Sequence, residues 1–214
     1  METLTNEILS QTIRIRPEES HKGTYGRVCL VGGNDHFGGA ILMATEASVY
    51  SGAGLNTTLT DSSNFVSLHA RMPEAMVADF TNHAELADLV SSANTVVVGP
   101  GLGTTSQSLS VLQTVFDTVN PTQTLIIDGS AITLVSEKSL KLPQANLVFT
   151  PHQMEWQRLS GIKIANQTDA ANETVRQQLG GTVVLKSHQT KIYTPTGSYL
   201  NTAGTPAQAT GGMG

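Results

Sequence analysis

Thr95-Val-Val-Val-Gly-Pro-Gly-Leu-Gly103 runs from a strand into a glycine turn without a polar break. Four β-branched residues with no polar alternation read as a strand buried on both faces, the habit of parallel sheets covered by helices. The stretch therefore predicts a central strand of an α/β fold. Gly99, Gly101 and Gly103, with Pro100 fixing one φ among them, let the main chain approach a flat or anionic group at the strand's carboxyl end. In open α/β sheets that end is where ligands sit. A tight strand-to-helix turn that needs glycine for geometry alone would carry the same residues, so the neighbouring segments decide.

Working outward, strands are predicted over 27–31, 55–60, 75–79, 124–128, 146–149 and 182–186, with 191–194 facing 198–202 across Pro195-Thr-Gly197 as a hairpin. Helices are predicted over 3–13, 40–50, a short stretch after Asp61, and 83–91. A further helix carries Leu109, Leu112, Val115, Phe116 and Val119 on one face. Thr150-Pro151-His152 starts another, with a hydroxyl cap and a proline in the first turn, and Gly161 closes it. The last, 168–179, turns Ala171, Val175 and Leu179 inward. Strands alternating with helices give an α/β fold, a three-layer α/β/α sandwich with a mainly parallel sheet, in a single domain spanning 1–214. In helix 40–50, Ala40, Ala44, Ala47 and Ser51 recur at helical spacing. That narrow face either lies close against the sheet or leaves room for a ligand.

Composition removes several functions. With 214 residues, 39% hydrophobic and 14% charged, the chain can bury one sizeable core without disulfides or metal. A net charge of -5 with scattered Lys and Arg offers no field for a phosphate backbone, so nucleic acid is not expected as a partner. Cys29 is the only cysteine, which excludes a disulfide framework and fits a cytoplasmic location. No stretch approaches about 18 consecutive apolar residues and no basic leader precedes one, so no membrane segment is predicted. Gly32-Gly-Asn-Asp-His-Phe-Gly-Gly39 lacks G-x-G-x-x-G spacing, and no acid ends a second strand at the distance a Rossmann dinucleotide site requires.

Six segments, taken together, are similar to a known family: Lys22-Gly-Thr-Tyr-Gly-Arg-Val-Cys-Leu-Val-Gly-Gly33, Arg71-Met-Pro-Glu-Ala-Met76, Gly99-Pro-Gly-Leu-Gly103, Thr150-Pro-His-Gln-Met-Glu155, Val183-Val-Leu-Lys186 and Ala209-Thr-Gly-Gly-Met-Gly214. In order and spacing they resemble the ADP/ATP-dependent NAD(P)H-hydrate dehydratases, a branch of the ribokinase-like superfamily, over about residues 22–214. The resemblance implies repair of the 6-hydrated form of NADH or NADPH. ADP or ATP phosphorylates the hydroxyl, phosphate leaves, and the reduced nicotinamide returns. It implies that Ala40, Gly103 and His152 contact the hydrate, and that Lys186, Ser187, His188, Gln189, Thr190 and Gly214 bind the nucleotide, with Mg²⁺ accompanying it. A homotetramer is implied too, as is a separate epimerase, because the epimerase domain that some relatives carry at the N-terminus has no counterpart here. Lys186 at a strand's carboxyl end can place a point charge on a β-phosphate while the amides of 211–214 cradle the transferring group.

Two departures stand out. The family puts an aspartate directly after the last glycine of that loop, where it would take the proton from the hydroxyl. The sequence ends at Gly214, so the expectation is a C-terminally incomplete version of the domain, lacking its last helices, and no catalytic residue is assigned. Ser130 stands in Asp128-Gly-Ser-Ala131 where relatives often carry a second acid.

Plainer readings accompany these. His152 and Glu155 are three apart on a helix, but two ligands make no site and no protein metal centre is assigned. Asp128 either coordinates Mg²⁺ or caps the turn that follows, and its position favours the cap. His188 sits beside the nucleotide or is exposed on the approach to the hairpin. Asn34, Asp35 and His36 read as turn formers, and Trp156 as packing. Two other functions stay open: a kinase of the same superfamily acting on a small hydroxymethyl heterocycle, and a non-catalytic nucleotide-binding protein.

Overall fold

A computed structural model describes residues 1–13, 15–205 and Gly211. Among these residues the strands are β1 Glu2–Thr3, β2 Arg27–Val31, β3 Leu55–Thr60, β4 Met76–Asp79, β5 Thr95–Val98, β6 Thr124–Ile127, β7 Asn146–Phe149, β8 Thr182–Leu185, β9 Thr190–Thr194 and β10 Gly197–Asn201. They form one sheet in the order β1-β10-β9-β8-β7-β6-β5-β2-β3-β4. Every pair from β8 to β4 is parallel, and only the β8-β9 and β9-β10 pairs are antiparallel. As expected for a central strand, β5 lies inside the sheet, flanked by β2 and β6.

The helices are α1 Glu7–Thr12, α2 Gly38–Tyr50, α3 Phe65–Arg71, α4 His83–Ser91, α5 Ser106–Thr118, α6 Gly129–Lys138, α7 Gln153–Ser160 and α8 Asp169–Leu179. Alternate strand residues such as Val96, Val98, Leu125, Ile127 and Phe149 are fully buried and share one core with the apolar sides of α4 to α8. A second, smaller core of Leu68, Met72 and Ala75 packs with Leu42, Val49 and Val77, so α2 and α3 make the other layer over the β2-β3-β4 half of the sheet. The three-layer arrangement thus holds, with its two outer layers unequal in extent. On the α2 side Val97 and Ile126 are only half-buried.

The structure departs from the sequence reading at four places. The predicted helix 3–13 is shorter, because Glu2–Thr3 instead adds a parallel strand to β10, with the Leu4 N–H donating to the Leu200 carbonyl at 2.9 Å. An edge strand offers unpaired main-chain groups that outcompete local helix propensity. Helix α6 goes unpredicted, although Ala131, Ile132, Leu134 and Val135 bury one helical face. The cap of α7 is His152 rather than Thr150: its ring Nδ1 accepts the main-chain N–H of Met154 and Glu155, and Glu155 reciprocates from the His152 N–H, a capping box. In α8 the fully buried positions are Asn172 and Arg176, while Ala171, Val175 and Leu179 are only partly covered.

Those buried polar groups have partners. The Trp156 indole N–H donates to Asn172 Oδ1 at 2.8 Å, Asn172 Nδ2 donates to the Tyr193 hydroxyl, and that hydroxyl donates to Asp169 Oδ1 at 2.9 Å. Burial pushes the Tyr193 pKa well above its usual range, so it remains a donor. The Lys191 ammonium, hydrogen-bonded at 2.7 Å, is the main cause that holds the Asp169 carboxyl below its usual value. Trp156 is therefore packing with a polar tether. Trp156→Phe leaves a buried amide oxygen without its donor and is expected to cost about 2 kcal/mol. Thermal unfolding measures this, and an unchanged Tm would mean Asn172 is satisfied elsewhere.

Cys29 is free and buried, and burial raises its thiol to about 12. No helix among the described residues is long and apolar enough to cross a membrane.

Candidate active site

The loops that leave β2 and β5 are sewn together. Gly33 N–H donates to the Pro100 carbonyl and Asn34 N–H to the Gly101 carbonyl, both at 2.8 Å. Such approach demands glycine: at Gly101, φ is +64°, and a Cβ would stand 2.2 Å from the Phe37 carbonyl oxygen. Asn34 Oδ1 accepts the N–H of His36 and Phe37, so Asn34 shapes the turn into α2, while Asp35 and His36 point to solvent. Farther from the mouth, Asn64 Nδ2 and Thr60 Oγ1 both donate to the Gly33 carbonyl, which anchors the loop from β3.

Beside this platform runs an open cleft of about 700 Å³. Val97 and Ile126 contribute from the sheet, and Ala40, Met43, Ala44 and Ala47 from α2. The small-residue face of α2 therefore leaves room instead of closing on the sheet. Ile41 and Thr45 make the buried contact, and Thr45 Oγ1 shares a 2.8 Å hydrogen bond with Thr58 Oγ1 of β3. A volume in this range suits a small-molecule ligand.

At the carboxyl ends of the strands the cleft turns polar. Asp128, Thr150, Glu155 and Lys186 line it, together with Gly129, Ser130 and Thr104. Lys186 Nζ donates to Asp128 Oδ1 at 2.9 Å, and Thr150 Oγ1 donates to the same oxygen at 2.7 Å. Asp128 does not cap α6, as its position had favoured; its side chain makes no capping bond and reaches across the strands to Lys186. A lysine cation in hydrogen-bond range offers more than a main-chain N–H that the α6 turn can leave to solvent. Lys186 is held at its base as well, its N–H donating to the Pro151 carbonyl at 2.8 Å, so that His152 and Lys186 form an isolated parallel bridge.

The predicted residues are distributed as follows. Ala40 and Lys186 line the cleft. Gly103 lies at its edge, next to Thr104, and its N–H donates to Ser130 Oγ at 3.0 Å. His152 caps α7 on the strand end beside Lys186, with its side chain about half exposed. Because Nδ1 accepts two main-chain N–H groups, the neutral ring carries its proton on Nε2, which stands 3.5 Å from Glu155 Oε1. Ser187, Gln189 and Thr190 form a self-bonded turn, Ser187 Oγ donating to the Gln189 carbonyl and Thr190 Oγ1 to the Ser187 carbonyl. His188 is exposed at that turn. Gly214 lies outside the described residues. Thr150 and Glu155 also line the cleft, although the sequence alone did not mark them as cleft groups. The i, i+3 pairing of His152 with Glu155 was the available signal, and no spacing rule announces Thr150.

A family model described as NAD(P)H-hydrate dehydratase matches residues 28–214. An ADP-dependent (S)-NAD(P)H-hydrate dehydratase of Lactiplantibacillus plantarum is 52% identical over 214 residues, which is 100% of this chain and 77% of that protein. A crystal structure of a ribokinase-like superfamily protein from Enterococcus faecalis superposes with a TM-score of 0.96 at 48% identity, covering 99% of this chain and 75% of that one. An ADP/ATP-dependent NAD(P)H-hydrate dehydratase from Bacillus subtilis, co-crystallised with ATP and Mg²⁺, gives a TM-score of 0.84 at 29% identity, over 99% of this chain and 76% of that one.

Proposed function

Because the chain belongs to the NAD(P)H-hydrate dehydratase family, we propose that it dehydrates the (S)-hydrate of NADH or NADPH with ADP as phosphoryl donor. The observation that carries this reading is the meeting of a glycine-turn platform and the Lys186 ammonium along one cleft, at the carboxyl ends of the parallel strands β5 to β8. The hydrate's hydroxyl oxygen attacks the terminal phosphorus of ADP, its proton passes to water, and the bond to the bridging oxygen breaks to release AMP. The phosphate ester then leaves as inorganic phosphate while the neighbouring ring carbon loses a proton, which restores the dihydronicotinamide. Such transfer asks the protein for positioning and charge stabilisation rather than for a covalent intermediate.

In this scheme Lys186 meets the phosphates as a point charge. Ala40 gives the flat pyridine access along α2, the Gly103 main chain approaches its face, and the Nε2–H of His152 donates a hydrogen bond to it. Ser187 to Thr190 and Gly214 border the nucleotide. Among the described residues no group of three or more His, Cys, Asp or Glu could hold a metal on its own. The Glu155 carboxylate in the cleft suits Mg²⁺ carried by the nucleotide, since Mg²⁺ is commonly held through one or two carboxylates plus substrate phosphates. Mg²⁺ supplies neutralisation of phosphate charge when bound. A separate epimerase supplying the reactive epimer, a cytoplasmic location and a homotetramer belong to the same proposal. Light scattering reads the assembly directly.

Purified protein given the hydrate and ADP is expected to restore reduced-nicotinamide absorbance with stoichiometric AMP and phosphate. Absence of turnover with ADP and with ATP would remove the assignment, and accumulation of a stable phosphorylated product would make the protein a kinase instead.

A further inference from the structure

Lysine is a poor fixed charge by itself, because its four-carbon stem leaves the ammonium many positions. Lys186 is not left to wander. It rises from the end of β8, and the carboxylate that receives its ammonium stands at the end of β6, two strands away. Adjacent strands lie about 4.8 Å apart, so the pair bridges two spacings with β7 between. The residue at the end of β7 is Thr150, whose hydroxyl donates to the same Asp128 oxygen at 2.7 Å. The side chains of Lys186 and Asp128 are 21% and 26% exposed, shielded enough to limit screening and open enough for the ammonium to line the cleft. Asp128 makes this reach while forgoing the helix cap that its place before α6 would allow.

We infer that Asp128 is a positioning residue of the nucleotide site: its carboxylate, braced by Thr150, holds the Lys186 ammonium at the cleft rim before any nucleotide arrives. The inference rests on the reading that Lys186 meets the phosphates. It has a sign that sets it apart from two other roles for the same carboxylate. A carboxylate that merely neutralised Lys186 would weaken anion binding, so its removal would tighten ADP. One that ligated Mg²⁺ would matter only with the metal present. A positioning carboxylate pre-organises the ammonium, so its removal weakens ADP with or without metal.

The test is calorimetric binding of ADP to purified wild type, Asp128→Asn, Lys186→Ala and the double variant, first in chelator and then with Mg²⁺. Asp128→Asn is expected to bind ADP about tenfold more weakly in both conditions, the effect of losing one charge-assisted hydrogen bond. The KM for the hydrate should stay unchanged. The double variant should bind no more weakly than Lys186→Ala alone, since Asp128 acts through Lys186. Thr150→Val, which keeps shape and charge, should shift ADP binding in the same direction by a smaller factor, and it carries the test if Asp128→Asn folds poorly. Tighter or unchanged ADP binding in Asp128→Asn, a loss confined to Mg²⁺, or additive losses in the double variant would each overturn the inference. If wild type and Lys186→Ala bind ADP equally, the reading of Lys186 itself falls. If Lys186→Ala loses ADP and Asp128→Asn does not, only the positioning role falls.

Discussion

Lys186→Ala is expected to lower kcat/KM for ADP by about 10² to 10³, the usual effect of removing one pre-organised charge contact from a transferring phosphoryl group. The lysine lines the cleft where β8 ends, its main chain is fixed by Pro151 and its ammonium by Asp128, so the charge sits in place before substrate binds. The loss should fall on the KM for ADP as well as on kcat, because a phosphate contact operates in the ground state and gains as charge shifts in the transition state. The fold should survive. Asp128 keeps Thr150 and is partly exposed, so water can take the place of the ammonium at a cost of about 1 kcal/mol or less. Lys186→Met, which retains the aliphatic stem, should match the alanine variant in kinetics and stay within about 2–4 °C of the wild type in Tm. Steady-state assays with ADP varied and a thermal melt decide it. Wild-type affinity for ADP in either variant would remove Lys186 from the site.

Much of this site was legible because parallel sheets make their own announcement. Val96 to Val98, Leu125 to Ile127 and Val183 to Leu185 are unbroken apolar runs, and just beyond their ends Pro100, Asp128 and Lys186 line the cleft. Once the runs are strands of one parallel sheet, Gly99 to Gly103, Asp128, Thr150 to His152 and Lys186 must share one edge, whatever their separation in the chain. What stayed hidden was set by partners that only the fold brings near. Asp128 and Lys186 are 58 residues apart, so a local rule assigned Asp128 to the turn that follows it when a cation from another strand was the stronger partner. His152 took the cap from Thr150 because Thr150 is drawn to Asp128. Asn172 and Arg176 fall outside the Ala171, Val175 and Leu179 line expected to face inward on α8, yet they are buried, Asn172 satisfied by Trp156 and Tyr193, and Arg176 by Glu173 and the Gly181 carbonyl. Glu2–Thr3 carries no strand signal at all; the open edge of β10 made it one.

Gly99→Ala is expected to cost about 3–5 kcal/mol and to take much of the activity of the surviving folded protein with it. Gly99 is where β5 turns toward the cleft, with φ at +120°. A Cβ there would stand 1.8 Å from the Asp128 carbonyl oxygen and 2.8 Å from the Ala131 side chain, and the oxygen belongs to main chain that cannot swing aside. Neither can Gly99 retreat, since its N–H donates to the Val31 carbonyl and its own carbonyl accepts from Leu102. The relief must come from β6 moving outward, which carries Asp128 and, through it, the Lys186 ammonium. At about 2–4 °C per kcal/mol for a chain of this length, the Tm should fall by roughly 10 °C or more. Gly161→Ala supplies the comparison. Gly161 also has a positive φ, +74°, but nothing lies within 4 Å of a Cβ built on it, so that variant pays only the conformational penalty of about 1–2 kcal/mol and leaves the cleft alone. The difference between the two melts isolates the crowding between β5 and β6. Should Gly99→Ala melt with Gly161→Ala and keep its affinity for ADP, the strand ends are not packed as tightly as the site requires, and the pre-set position of Lys186 loses its structural basis.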